Sequence, residues 1–306
     1  VDSNPWALVV SKAKTYLPEG IYNWINKIQE ELSMQNPFVP SYMLEKYHGP
    51  LVLETLGKIR ASIERVPLSF RPLLLTVLGE LAYELSGLKK SPAPKFKKSR
   101  PLAEPRQVFR RFFGLLSRAV GDLKEHVKSA PPAHLIWADS TTWLPDRIEA
   151  VLTSPPFANN VDYVRHVQLQ LMWSGLATNS KELGALRSMQ IPSCEAAARR
   201  WKTGIREGQL ANVLSTIKGK RRRGYIKFLS QYFYAMKRHF ELLVERLEWE
   251  AWYTIGDSIL GGTYVPTHEI LARFAEETGL TTQIKELSER IKPGRKLYLL
   301  RVMSHR

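Results

Sequence analysis

Cysteine is nearly missing: Cys194 stands alone in 306 residues, which excludes an intramolecular disulfide framework and fits a reducing compartment. No run of about 18 apolar residues occurs, so no membrane span is expected. Nor is there the basic head and apolar stretch of a secretory leader. Acid is in short supply: 29 Asp and Glu face 45 Lys and Arg, a net charge of +16. An excess of that size favours a polyanion, and nucleic acid in particular, as partner. Glycine-rich phosphate cradles are lacking too, since Gly261-Gly262 and the isolated glycines do not follow a strand and open a helix as such loops require. The seven histidines show no ligand spacing with Cys194 or with carboxylates, and no metal site is expected. With 44% hydrophobic residues the chain can still bury one sizeable core or two modest ones.

What is present concentrates around residue 154. The apolar stretch Ile148-Glu149-Ala150-Val151-Leu152-Thr153 reads as a buried strand, and it runs into Ser154-Pro155-Pro156-Phe157. Two consecutive prolines fix φ and remove two backbone donors, so their carbonyls are free to face something else. Ser154 adds a hydroxyl and Phe157 a flat ring. An exocyclic amine on a nucleobase needs acceptors for its hydrogens and an aromatic face once the base has left its helix. A plain strand followed by a Pro-Pro turn fits the tetrapeptide taken alone equally well.

The flanks favour the chemical reading. Upstream, Leu135-Ile136-Trp137-Ala138-Asp139-Ser140 is a second apolar run ending in an acid; downstream, Val161-Asp162-Tyr163-Val164-Arg165-His166 opens a helix continuing through Leu169, Leu171, Met172 and Trp173. With these elements the chain resembles the S-adenosylmethionine-dependent amino-group DNA methyltransferases, in particular the cytosine-N4 type with Ser-Pro-Pro-Tyr/Phe. The adenine-amine members more often carry Asp or Asn where this chain has Ser154. The resemblance covers residues 133–278 best and residues 1–13 suggestively. It implies an α/β fold: a Rossmann-like methyltransferase sheet with flanking helices and a large helical insertion.

The opening segment Val1-Asp2-Ser3-Asn4-Pro5-Trp6 looks like a strand end, an acid and an Asn-Pro helix start. In the family resembled, that pattern follows the cofactor's glycine-rich loop and the acid binds the ribose hydroxyls, a role that would fall to Asp2. An ordinary helix N-cap accounts for the same residues. On this resemblance the first strand and its glycine loop are missing from the 306 residues, and the chain is expected to be a fragment or one part of a split enzyme. An upstream segment or a separate chain would then carry the loop.

Three regions follow: 1–16 as the remnant of a cofactor-binding half, 17–130 as a helical insertion or subdomain, and 131–306 as the catalytic α/β region. In the second, Ile21, Trp24, Ile25 and Ile28, then Leu51, Leu53, Leu56, Ile59 and Ile63, then Leu73, Leu74, Val77, Leu78, Leu81 and Leu85 recur at helical spacing. Pro67, Pro72 and the Pro/Lys-rich segment 91–105 punctuate them, the last as a solvated linker or a nucleic-acid arm. In the third, strands are expected near 134–138, 148–153, 250–256, 282–287 and 296–302, the last as an antiparallel edge strand. A helix over 266–275 has Thr267 as N-cap and Gly279 beyond its end.

Ligands bind beyond the carboxyl ends of strands in open α/β sheets, where Asp139-Ser140 and Ser154-Pro155-Pro156-Phe157 both fall. By resemblance, Asp139 or Ser140 contacts the adenine of S-adenosylmethionine; for Asp139 a turn or cap acid is the plainer account. Cytosine N4 is a poor nucleophile until bonds to its protons favour a pyramidal nitrogen. Ser154 Oγ and the Pro155 carbonyl suit that task, Pro156 stiffens the loop, and Phe157 would stack on the flipped base unless it is core. Asp162, Tyr163 and Arg165 shape the target pocket in the look-alike family, though Asp162 also suits a helix start. Thr254-Ile255-Gly256-Asp257-Ser258 resembles a Gly-Asn-Ser element of the same relatives. Cys194 follows Ser193 and not Pro, so the nucleophilic mechanism of cytosine-C5 enzymes is unsupported. Between 199 and 227 stand ten Lys/Arg and one acid, Glu207, with Lys220, Arg221, Arg222 and Arg223 at the centre. A surface that tracks the phosphates of double-stranded DNA is the natural reading.

The expectation is therefore a cytosine-N4 DNA methyltransferase of a prokaryotic cytoplasm, DNA-associated, of the kind found in restriction-modification. Adenine-N6 or RNA base methylation is the alternative within enzymes; a catalytically inactive, methyltransferase-like DNA-binding protein is the alternative outside them.

Overall fold

A helical period in the apolar residues up to 127 and strand runs from 247 onward give rise to two bodies in the computed structural model, which describes residues 1–89, 95–127, 133–198, 201–205, 210–289 and 296–305. A helical unit comprises residues 2–137 and 164–185; a sheet unit comprises Val1, 138–163 and 186–306. This division replaces the expected three regions. Residues 2–16 belong to the helical unit, and so does the segment 164–185, which follows the Ser-Pro-Pro-Phe loop in the chain.

The helical unit contains α1 (Pro5–Thr15), α2 (Ile21–Glu31), α3 (Pro50–Glu64), α4 (Arg71–Glu84) and α5 (Pro105–His126), and a small antiparallel ladder of β1 (Leu88–Lys89) and β2 (Lys95–Phe96). Proline occupies the first turn of α1, α3, α4 and α5, where its missing N–H has no intrahelical partner to lose. Leu56, Ile59 and Ile63 of α3, Leu74, Leu78 and Leu81 of α4, and Phe112, Leu116 and Val120 of α5 are buried together. Gly79 lets the Trp6 ring lie against α4: a Cβ there would stand 2.8 Å from the indole. After α6 (Tyr163–His166), α7 (Gln168–Ser174) adds Leu169, Met172 and Trp173 to this core. Arg60 Nε donates to the Trp173 carbonyl at 2.8 Å, and Trp173 Nε1–H donates to His48 Nε2 at 3.0 Å.

The chain re-enters the sheet unit within α8 (Ser180–Ser188) and continues through α9 (Glu195–Ala198), α10 (Ala211–Leu214) and α11 (Arg222–Val244). Its sheet has the order β3 (Ile148–Thr153), β4 (Leu247–Gly256), β8 (Lys296–Met303), β7 (Thr281–Glu289). β3 and β4 are parallel, while β8 runs antiparallel to both its neighbours. A short antiparallel pair, β5 (Ser258–Leu260) and β6 (Thr263–Val265), leads into α12 (Thr267–Glu277). The buried face of α11, with Phe228, Tyr232, Phe233, Met236, Phe240 and Leu243, joins Tyr253 of β4 and Leu271 and Phe274 of α12 in one core. The protein is thus a mixed α/β molecule with a mixed sheet and, among the described residues, twelve α-helices. None of the described helices is long and apolar enough to cross a membrane.

Several expected elements differ. The strand near 134–138 reduces to a single parallel bridge between Asp2 and Trp137, because the chain turns into α1 directly after Ser3. The final strand is central, between β4 and β7, and not an edge. Among the described residues β3 is an edge strand paired only with β4, and Leu152 on it is 85% exposed. Residues 91–94 of the Pro/Lys-rich segment, together with Arg199, Arg200, Arg206, Glu207, Pro293 and Gly294, lie outside the described residues.

Candidate functional site

Parallel pairing brings the carboxyl ends of β3 and β4 side by side, with Thr153 opposite Tyr253. Ser154 leaves β3 there, exposed, and its hydroxyl faces the Thr254 carbonyl at 3.5 Å. A hydroxyl spending its proton on a carbonyl keeps its lone pairs for another donor. Pro155 is buried, Pro156 and Phe157 are half-buried, and the chain tightens where Asn159 N–H donates to the Phe157 carbonyl at 2.8 Å. Asn159 Oδ1 is buried without a hydrogen-bond partner among the described residues.

Asp162 follows, and its carboxylate takes Arg187 Nε at 2.7 Å with both side chains about four-fifths covered. That ion pair ties the start of α6 to α8. Tyr163 opens α6 and Arg165 is exposed on it. Cys194 is 5% exposed and burial pushes its thiol up, which keeps it protonated and unsuited to nucleophilic work.

The second expected strand end is held by groups that its sequence does not announce. Asp139 Oδ1 accepts the Thr141 N–H at 2.9 Å and its hydroxyl at 2.8 Å, a local turn that leaves the other carboxylate oxygen open. The Ser140 carbonyl accepts His239 Nδ1–H at 3.1 Å, and His239 Nε2 accepts the Tyr253 hydroxyl at 2.8 Å. Burial lowers the His239 pKa and raises that of Tyr253, so the pair stays neutral and its donor and acceptor roles are set. Sequence reasoning passed over His239; its signal is a polar ring on a face of α11 that is otherwise apolar but for Gln231. Asp139 lines a cleft of about 340 Å³ with Thr141, Thr142, Trp201, Lys202 and Tyr234. Hydroxyls, two aromatic rings and two cations, Lys202 and Arg238, surround the one acid there.

Asp2 lies in the helical unit, Asp139 and Ser140 in the sheet unit. Asp2 N–H donates to the Ile136 carbonyl at 3.1 Å, and one Asp2 carboxylate oxygen accepts the Asn4 N–H at 2.7 Å. Asn4 in turn caps α1 by accepting the Trp6 N–H. Asp2 is open to solvent on one side; even so, desolvation by the surrounding chain raises its carboxyl pKa, against the lowering effect of the Asn4 bond.

Asp257, at the end of β4, is fully buried and committed inward. It accepts His268 Nδ1–H at 2.8 Å, the His268 backbone N–H at 3.4 Å and the Tyr264 hydroxyl, while the His268 ring stacks on Tyr298. This carboxylate and not Thr267 caps α12, whose N-cap residue is Pro266. The likeness of 254–258 to a ligand-facing Gly-Asn-Ser element therefore does not extend to Asp257's surroundings.

Lys220, Arg221, Arg222 and Arg223 are all exposed where α11 begins. Arg222, Arg223, Lys227, Ile226 and Ser230 line a cleft of about 390 Å³ along its first two turns. Among the described residues no group of three or more His, Cys, Asp or Glu side chains is arranged to hold a metal ion. No family model matches this chain, and neither a curated protein nor a solved structure matches it.

Proposed function

We propose that this chain is the target-binding and catalytic part of a DNA methyltransferase that methylates the exocyclic N4 amine of cytosine on a flipped base, on a Rossmann-like sheet. The observation that carries the reading is the stiff Ser154-Pro155-Pro156-Phe157 loop at the joint carboxyl ends of β3 and β4, with the Ser154 hydroxyl exposed and turned toward the Thr254 carbonyl.

Asp139 keeps one carboxylate oxygen outside its local turn, suited to the adenine amine of the cofactor. When bound, S-adenosylmethionine supplies an electrophilic methyl group on its sulfonium. Ser154 Oγ and the Pro155 carbonyl accept hydrogen bonds from the two amine N–H groups and direct the nitrogen lone pair, and the proton shed by the methylated nitrogen passes to solvent. Phe157 stacks on the base, an interaction worth about 1–3 kcal/mol in single-strand binders. Positioning supplies most of the barrier reduction. The exposed cations of 220–223 hold the phosphates of double-stranded DNA.

Single-turnover transfer of labelled methyl groups to DNA, followed by nucleoside analysis, tests the reading. Ser154→Ala should slow transfer by about one to three orders of magnitude, and Phe157→Ala should also slow it, with nonspecific duplex affinity nearly intact. Wild-type rates in Ser154→Ala would remove the loop from the mechanism. N6-methyladenine or a methylated RNA base as product would select the alternative enzyme, and duplex binding with no transfer in any form would leave a binding module.

A further inference from the structure

We infer that Glu195 is a positioning residue that holds the loop after β3 in shape by tying Asn160 to the arginine-rich start of α11; its consequence for catalysis rests on the methyl-transfer reading of that loop. Asn160 is the non-glycine residue with positive φ among the described residues, at 59°. Asn tolerates this left-handed conformation better than most residues but does not favour it, so something must maintain it. Asn160 Oδ1 accepts the Glu195 N–H at 2.9 Å, and Asn160 Nδ2 donates to Glu195 Oε2 at 3.3 Å. One side chain thereby grips both the backbone and the carboxylate of Glu195, 35 residues away.

The carboxylate is itself held. α11 opens with Arg221, Arg222 and Arg223, has no acid in its first turn and no side-chain cap, an arrangement that sets like charge against the positive end of the helix dipole. Glu195 brings the missing negative charge from another element: its Oε2 stands 3.9 Å from Arg221. Its Oε1 occupies the space beside Gly224, where a Cβ would fall on it. Arg221 is 70% exposed, so the ion pair alone is weak. The carboxylate keeps its place because no side chain stands at 224. Helix stability alone would favour alanine at that position, so the glycine serves the carboxylate and not the helix.

Gly224→Ala is the deciding variant, because alanine favours the helix over glycine while its methyl displaces the Glu195 carboxylate. Hydrogen exchange of the amides in 157–161, measured on the whole chain without DNA or cofactor, should quicken about tenfold in Gly224→Ala and in Glu195→Ala. The thermal midpoint of Gly224→Ala should not fall. Glu195→Gln keeps an acceptor for the Asn160 amide and should stay within about twofold of wild type. Should Glu195→Ala fail to fold, Gly224→Ala still decides. Unchanged exchange in Gly224→Ala overturns the inference, as does methyl transfer at the wild-type rate in a Gly224→Ala protein whose loop has loosened. Quickened exchange in a protein that transfers no methyl group leaves the positioning intact and refutes the methyl-transfer reading instead.

Discussion

Each unit seats a histidine in the same way, with different consequences. In the helical unit His48 faces the Leu85 carbonyl with Nδ1 at 3.3 Å and accepts the Trp173 indole N–H with Nε2. In the sheet unit His239 faces the Ser140 carbonyl with Nδ1 and accepts the Tyr253 hydroxyl with Nε2. Both rings are buried and both pKa values are lowered by desolvation first of all. His48, with Arg60 on the Trp173 and Ser174 carbonyls, joins α3, α7 and the end of α4 and faces no candidate site residue. His239 clamps the carbonyl next to Asp139, so the same device that stabilises one unit fixes a candidate ligand loop in the other. A neutral ring with one donor and one acceptor fits any buried place that offers one of each, whatever the elements around it.

The largest way to break this likeness is Trp173→Ala, which empties a fully buried site and orphans His48 Nε2. Denaturant unfolding should show a loss of about 3–5 kcal/mol, with hydrogen exchange quickened in the helical unit first. A loss under about 1 kcal/mol would mean that the helical core does not depend on this ring. Acid comes next. The His48 pKa falls from 6.5 to about 4 on folding, so between those values the unfolded chain binds more protons than the folded one. Stability is then fully present above pH 6.5 and declines as pH falls toward about 4, with about 2 kcal/mol gone by pH 5 and about 3 in all. His239 acts in the same direction. Urea midpoints that are flat from pH 7 to 5 would contradict the neutral-ring account of both sites.

Tyr253→Phe sharpens the comparison by deleting the donor to His239 Nε2 and nothing else. A loss of about 1–3 kcal/mol is expected, with faster exchange over 139–143 and an unaltered helical unit. Equal changes in both units would show that the effect is not local. Smallest for stability is the change of Arg221, Arg222 and Arg223 to Ala, which removes exposed cations from a helix start and should leave the thermal midpoint level or slightly raised. Its effect belongs to binding: duplex affinity should weaken for all sequences, and its salt dependence should flatten by up to about 0.9 for each phosphate that is no longer neutralised. Affinity unchanged across several salt concentrations would make the patch an ordinary solvated surface.

The helices over 21–31, 50–64 and 71–84 were legible because their apolar residues recur at helical spacing. The strands near 148–153 and 250–256 were legible as apolar runs that end in turn chemistry. The apolar run at 134–138 carried the same local signal, yet it forms only one bridge, since a strand exists through its neighbour and the chain beside it departs into α1. Likewise Leu297–Val302 read as an edge strand, because strand order is not a local property.

At the site, the sequence by itself determined the chemistry on offer: a hydroxyl, two prolines and a ring in one loop, acids after apolar runs, and a cationic helix start. Side-chain type and proline geometry are covalent properties, present before any folding. Only the tertiary structure decided which groups remain open and which are spent. It committed Asp257 to His268 and Tyr264, set Asp162 on Arg187, put His239 behind Ser140 and joined Asn160 to Glu195 beside Gly224. Such pairings join residues far apart in the chain. They arise when burial makes an unpartnered polar group costly, a cost that exists only once the core around it has closed.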